Sequence, residues 1–222
     1  MRYQETLDDI RVHAQKIGRN PDDITLVAVT KNHPLEAVLE LYCAGCRHFG
    51  ENRLQEALPK IAGAPTDIQW HFIGTLQKNK VGKVLDNFSW IHSVDTPDLA
   101  KEISKRAQEK TSILLQVNTS GEASKHGLSP QKWKDTVQEI FQLPNLDIKG
   151  LMTMAPYTDD IETIRHCFSG LRQFRDELEA DLGGALPHLS MGMSRDYRIA
   201  IEEGATLLRV GSVIFSGGMG IA

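Results

Sequence analysis

Lys31 follows the stretch "ITLVAVT" (Ile24 to Thr30), an apolar and β-branched run suited to a buried strand, and Pro34 and a helical pattern come soon after. An amine at the end of a buried strand is either an ordinary solvated loop lysine or, where partly desolvated among cationic neighbours, a nucleophile toward carbonyls. Two further segments bear on the choice. "LSMGMSRD" carries Ser190, Gly192 and Ser194, and "RVGSVIF" carries Arg209, Gly211 and Ser212. Glycines in such turns let backbone N–H groups approach a ligand closely, and hydroxyls at helix starts suit an anion. Capped turns with no ligand use the same residues. Arg209 stands inside an apolar run, where a guanidinium is costly to bury unless something accepts its donors, whether a structural carboxylate or a bound group.

These residues need a frame. The spacing predicts a first helix over residues 3 to 17, with Leu7, Ile10, Ala14 and Ile17 on one face and Gly18 beyond it. Strand-like runs then alternate with helical stripes. "HFGE" ends at Asn52, read as an N-cap for the helix carrying Leu54, Ala57, Leu58 and Ile61. "IQWHFI", "FSWIHSV", "SILLQVN", "LDIKGLMT", "HLSMG" and "TLLRVGS" supply the remaining strands. The intervening helices are expected near 77 to 86, from Pro97, from about 130, from Ile161 to Leu178, from about Ser194, and briefly at the end. Eight such units predict a single α/β chain folded as one (β/α)8 barrel of the TIM type, spanning 1–222 with an extra N-terminal helix. An open doubly wound sheet has the same strand count. In a barrel, functional groups gather at the carboxyl ends of the strands, and the loops after strands seven and eight commonly hold phosphate.

Composition narrows the function classes. The chain has 222 residues, 41% hydrophobic and 24% charged, with a net charge of −4. This is the balance of a globular protein, and mild acidity disfavours nucleic-acid binding. No segment has the length of apolar chain that a membrane helix needs, and the N-terminus does not read as a secretory signal. Three cysteines cannot pair fully, which points to a reducing cytoplasm. The expected protein is a cytoplasmic monomer with a small-molecule ligand.

A lysine for an aldehyde, a phosphate cradle and an arginine available to a ring nitrogen together suggest pyridoxal 5′-phosphate. The sequence also resembles a known family. "AVTKNHP", "FGENRLQE", "WHFIGTLQKNK", "VNTSGEASKHG", "KGLMTMAP", "LSMGMSRDY" and "RVGSVIF" are similar, in order, to blocks of the pyridoxal phosphate homeostasis proteins, single-domain relatives of the alanine racemase barrel domain. The resemblance implies an internal aldimine on Lys31, Arg209 at the pyridine nitrogen, and phosphate held by the loops with Ser190, Ser194, Gly211 and Ser212; Ser194 suits the helix start better than Ser190 does. It implies that Asn52 and His71 lie near the ring. An arginine at the ring nitrogen disfavours its protonation and weakens the ring as an electron sink. The implied role is therefore a non-catalytic carrier in cofactor homeostasis and amino-acid and keto-acid balance, with pyridoxal phosphate-dependent apoenzymes as recipients. A racemase-like enzyme, or a Schiff-base aldolase using the phosphate loops for substrate, are the alternatives. The tail departs from the family after "VIF", where Ser216 and "GGMGIA" stand in place of a glycine and a basic residue.

Other signals have plainer explanations. "CAGC" (Cys43 to Cys46) has no second pair and reads as buried free thiols. His48 close by does not complete four metal ligands. Glu51 and Asp95 at strand ends read as hydrogen-bonded or solvated carboxylates. Lys125, in the polar loop after strand five, is a solvated lysine or a second acceptor for the aldehyde.

Overall fold

In a computed structural model, which describes residues 2–122 and 126–216, the apolar runs become eight parallel strands. They are β1 Thr25–Val29, β2 His48–Glu51, β3 Gln69–Phe72, β4 Trp90–Val94, β5 Thr111–Gln116, β6 Leu146–Met152, β7 His188–Ser190 and β8 Leu207–Val210. Each pairs with the next, and β8 returns to β1 with Thr25 opposite Leu207 and Ala28 opposite Val210. The sheet is a closed barrel, which settles barrel against open sheet.

Closure buries both faces of every strand, so the strands read as continuous apolar runs rather than alternating ones. Val27, Leu114, Met152 and Leu207 meet inside the barrel. Phe49, Ile91, Ile113 and Leu151 belong to the outer layer, packed with Leu41 of α2 (Leu35–Cys43), Ile103 of α5 (Pro97–Arg106) and Phe168 of α8 (Ile161–Leu182). Each such side chain contributes roughly 1.5–3 kcal/mol on burial. At Gly150 a Cβ would lie 1.9 Å from the His188 carbonyl oxygen, and φ is +152°; only glycine lets β6 approach β7 there.

The expected first helix is α1, Tyr3–Lys16, with Ile10 and Ala14 buried. It is tied to α9 (Tyr197–Glu202) by Asp9, which accepts from Tyr197 Oη at 2.6 Å and from Arg198 at 2.6 and 3.0 Å. Three helix expectations need correction. The segment near 77 to 86 is a 3-10 turn (Lys78–Lys80) followed by the short α4, Val81–Leu85. The helix from about 130 is two pieces, α6 Pro130–Lys134 and α7 Val137–Phe141. The helix expected from Ser194 begins only at Tyr197, because the Asp196 carboxylate accepts from the Met193 N–H at 2.6 Å and holds residues 194–196 as a turn. Asn52 is not an N-cap: Arg53 takes that position before α3 (Leu54–Gly63), without a side-chain capping bond.

Candidate functional site

Strand alternation sets the frame around Lys31. A Cβ added at Gly50 would meet the Val27 and Val29 side chains, so these two face the barrel interior. Thr30 faces the other way, donating from Oγ1 to Glu51 Oε1 at 2.6 Å. Lys31 follows in the turn just past the strand, at its carboxyl end, and is exposed. Its turn is closed by the His33 N–H donating to the Thr30 carbonyl at 3.0 Å, with Asn32 left-handed at φ +64°. Asparagine is among the few non-glycine residues that tolerate this region. The His33 ring stacks on Phe215 with centroids 3.6 Å apart, joining the turn to α10 (Ser212–Phe215) after β8.

Beneath the turn lies a buried ion pair that sequence reading did not anticipate. Lys60 of α3 donates to Glu51 Oε1 at 2.7 Å and to the Thr30 carbonyl at 2.8 Å. Glu51 is fully buried, and its Oε2 has no partner. Its expected role as a hydrogen-bonded carboxylate holds. Asn52 Oδ1, one residue on, is also buried without a hydrogen bond. Gly74 makes this corner possible, since a Cβ there would lie 2.0 Å from the Asn52 carbonyl oxygen.

The loops after β7 and β8 meet across the mouth. The Arg209 N–H donates to the Gly192 carbonyl at 2.9 Å. The N–H groups of Gly211 and Val213 both point at Ser194 Oγ, at 3.3 and 3.4 Å. Gly192 has φ +89°, and a Cβ would come within 2.6 Å of Ala200 Cβ, so the loop requires glycine. At Gly211 a Cβ would lie 3.0 Å from the Val29 carbonyl oxygen, at the limit of contact. Ser212 opens α10. The convergent N–H donors and the Ser194 hydroxyl form a cradle suited to phosphate oxygens.

Arg209 is buried. It donates to Ser190 Oγ at 2.5 Å and to the Thr153 carbonyl at 2.9 Å, so its hydrogen bonds go to a hydroxyl and a carbonyl rather than to a carboxylate. Burial pulls its pKa down to about 10, with the charge of Asp196 acting in the opposite direction. Ser190 is thus occupied behind Arg209, and Ser194 alone of the two serines touches the amide cradle.

His71 is fully buried inside the barrel, its Nδ1 2.8 Å from His92 Nε2 and its Nε2 3.0 Å from His48 Nδ1. His92 Nδ1 in turn lies 2.9 Å from Ser190 Oγ. Burial, reinforced by neighbouring cations and rings, holds His71 and His92 well below the usual histidine range, so both are neutral. His92 and Thr153 escaped the sequence reading. For His92 the signal was only an inward-register polar residue on an apolar strand, visible once two neighbouring strands are registered together; Thr153, just past β6, meets Arg209 through its backbone carbonyl, which no side-chain pattern reports.

Elsewhere, Asp95 is half-buried and raised by desolvation, with His126 at 3.6 Å. Cys46 is buried, donates to the His48 carbonyl at 3.3 Å and is pushed up to about 11, but Cys43 is exposed, correcting the expectation of two buried thiols. Among the described residues no cluster of His, Cys, Asp or Glu suits a metal ion. No helix among them is long and apolar enough to cross a membrane. Lys125 and the divergent tail past Ser216 lie outside the described residues.

A closed parallel barrel with a lysine just past its first strand and an arginine on its eighth can be compared with known proteins. The model of the alanine racemase N-terminal domain matches residues 6–218. A pyridoxal phosphate homeostasis protein of Aquifex aeolicus is 42% identical over 218 residues, covering 96% of each chain. The chain belongs to the pyridoxal phosphate homeostasis proteins, within the alanine racemase N-terminal domain family. PipY of Synechococcus elongatus, solved with PLP bound, is 37% identical with a TM-score of 0.83, covering 93% of this chain and 100% of its own. An alanine racemase of Clostridium difficile shares the fold at 14% identity and a TM-score of 0.77, with 96% of this chain aligned to 60% of its own.

Proposed function

We propose that this protein binds pyridoxal 5′-phosphate and acts in intracellular cofactor homeostasis, with Lys31 as the covalent attachment point. One observation carries the reading: a lysine just past β1, the amide cradle at Ser194, and an arginine near the end of β8 whose hydrogen bonds avoid carboxylates belong to the carboxyl ends of strands in one closed barrel. The residues present fit the group. Gly211, Val213, Ser194 and Ser212 would hold the phosphate; Arg209 would face the ring nitrogen; the unpartnered Asn52 Oδ1 offers an acceptor to a donor on the ring. The cofactor supplies an aldehyde that condenses with an amine. The chain's own task is to hold Lys31 on a rigid turn and to keep the ring nitrogen unprotonated, since a guanidinium donor leaves no place for a proton there.

That arrangement, and relatives named for homeostasis rather than for a reaction, support a carrier over an enzyme. The protein is taken to be a cytoplasmic monomer composed of one domain, serving pyridoxal phosphate-dependent apoenzymes.

The test is the visible spectrum of purified protein before and after borohydride, with peptide mapping. The expected result is a band bleached by reduction and a pyridoxyl mass on the peptide holding Lys31. Lys31→Ala should lose the band and the label while melting at about the wild-type temperature and retaining weaker, noncovalent binding. Label on another lysine, or none after added pyridoxal phosphate, would overturn the reading.

A further inference from the structure

A buried guanidinium hydrogen-bonded to no carboxylate must draw its stabilisation from elsewhere. Beyond Asp196, the structure offers a line of polar groups crossing the barrel interior: Arg209, Ser190, His92, His71 and His48, linked at 2.5, 2.9, 2.8 and 3.0 Å. It runs from Arg209 on β8, through the end of β7, to the first residue of β2, where His48 is only partly buried. Trp90 stacks on His71 and lies edge-on to His92 and His188, walling the line with aromatic surface.

Donor and acceptor counting fixes the direction of this line. A guanidinium only donates, so it takes one lone pair of Ser190 Oγ. Among the described residues the other partner of that oxygen is His92 Nδ1. Were Nδ1 to carry a proton, both neighbours would donate to the serine and its own buried proton would have no acceptor, a costly arrangement. Ser190 therefore donates to His92 Nδ1, and the neutral ring carries its proton on Nε2. That proton points at His71 Nδ1, which must accept, and His71 Nε2–H then donates to His48 Nδ1. All three rings take the same Nε2–H tautomer. Every lone pair in the line faces back toward Arg209, and aligned hydrogen bonds of this kind strengthen one another.

We propose that His48, His71 and His92 form one proton-ordered column that, through Ser190, holds the Arg209 guanidinium in place with aligned dipoles instead of a carboxylate. The histidines are positioning residues: they act on Arg209 through Ser190. A carboxylate would neutralise the arginine, whereas a column of neutral dipoles leaves its full charge for the ring nitrogen. The effect on the cofactor rests on the function proposed above; the tautomer order does not.

The first test is nitrogen-15 NMR of the histidine rings in cofactor-free wild-type protein at neutral pH. The expected result is a protonated Nε2 and an unprotonated Nδ1 for His48, His71 and His92 alike. A protonated Nδ1 on His71 or His92 would overturn the column, whether or not pyridoxal phosphate binds. The second test compares His92→Leu, which has neither donor nor acceptor, with His92→Gln, which has both. After loading with pyridoxal phosphate, the Leu variant should release it about tenfold faster than wild type and show a displaced visible band. The Gln variant should restore both toward wild type. Equal release rates and bands in wild type and His92→Leu would also overturn the proposal. Should His92→Leu fail to fold, the NMR result and the Gln variant decide. Failure of wild-type protein to take borohydride label on Lys31 would count against the proposed function and leave the column's tautomers as measured.

Discussion

Lys60 is the side chain on which the geometry around Lys31 depends most directly. Its ammonium group holds the Thr30 carbonyl and the Glu51 carboxylate together under the turn, in a place where water cannot substitute. Lys60→Met should leave the Glu51 charge buried and unpaired, lowering stability by about 3–5 kcal/mol, read as a lower urea midpoint. Adding Glu51→Leu to that variant should recover most of the loss, since an apolar pair of similar volume replaces a buried ion pair at little cost. A double variant no more stable than the single one would show that the pair does more than satisfy itself. Lys60 was invisible in the sequence because a lysine on an amphipathic helix normally faces solvent. The partner that buries it sits on the preceding strand, and no helical pattern reports that.

Among the strands and loops, the turn between β7 and α9 is the most constrained. Gly192→Ala combines a left-handed φ with a Cβ driven to 2.6 Å from Ala200. We expect a loss of about 1–3 kcal/mol and a cofactor affinity reduced more than stability alone explains, because Ser194 would be displaced from the Gly211 and Val213 amides. Titration with pyridoxal phosphate alongside thermal unfolding separates the two effects. Wild-type affinity in a folded Gly192→Ala variant would remove this loop from the phosphate site. Strand positions were readable because doubly buried parallel strands must be apolar throughout, as in "TLVAV" and "SILLQ". Helix starts were less readable. Ser194 and Asn52 both have the chemistry of caps, yet Asp196 and Arg53 take the cap positions and neither makes a side-chain capping bond. His92 was passed over because an isolated histidine in an apolar strand has no periodic signature.

The barrel interior carries His71 and His92 neutral, and this gives folding a pH dependence. Burial depresses His71 and His92 well below their ordinary value of 6.5, and His48 and His188 are lowered in the same direction. Below about 6.5 the unfolded chain binds protons at these positions that the folded barrel refuses, so stability must fall as the pH falls. It is fully present above that value. Each ring costs up to about 1.4 kcal/mol for every pH unit below it. Urea midpoints should be level between pH 7.5 and 8.5 and lower at 5.5, and replacing His92 with Gln should flatten the fall. An unchanged midpoint at pH 5.5 would mean that the rings are protonated in the folded barrel.

Closure of the barrel between β1 and β8 also has a consequence for biosynthesis. The lysine that would hold the cofactor belongs to the first strand–helix unit of the barrel, and the arginine and amide cradle that would complete its surroundings belong to the eighth. While the chain is being made, Lys31 is only an amine, exposed to whatever aldehydes the cell contains. On the proposed function, selectivity would arrive only when β8 docks beside β1. A nascent chain stalled before Val210 should therefore be unable to retain pyridoxal phosphate, and one released just after α10 should retain it fully.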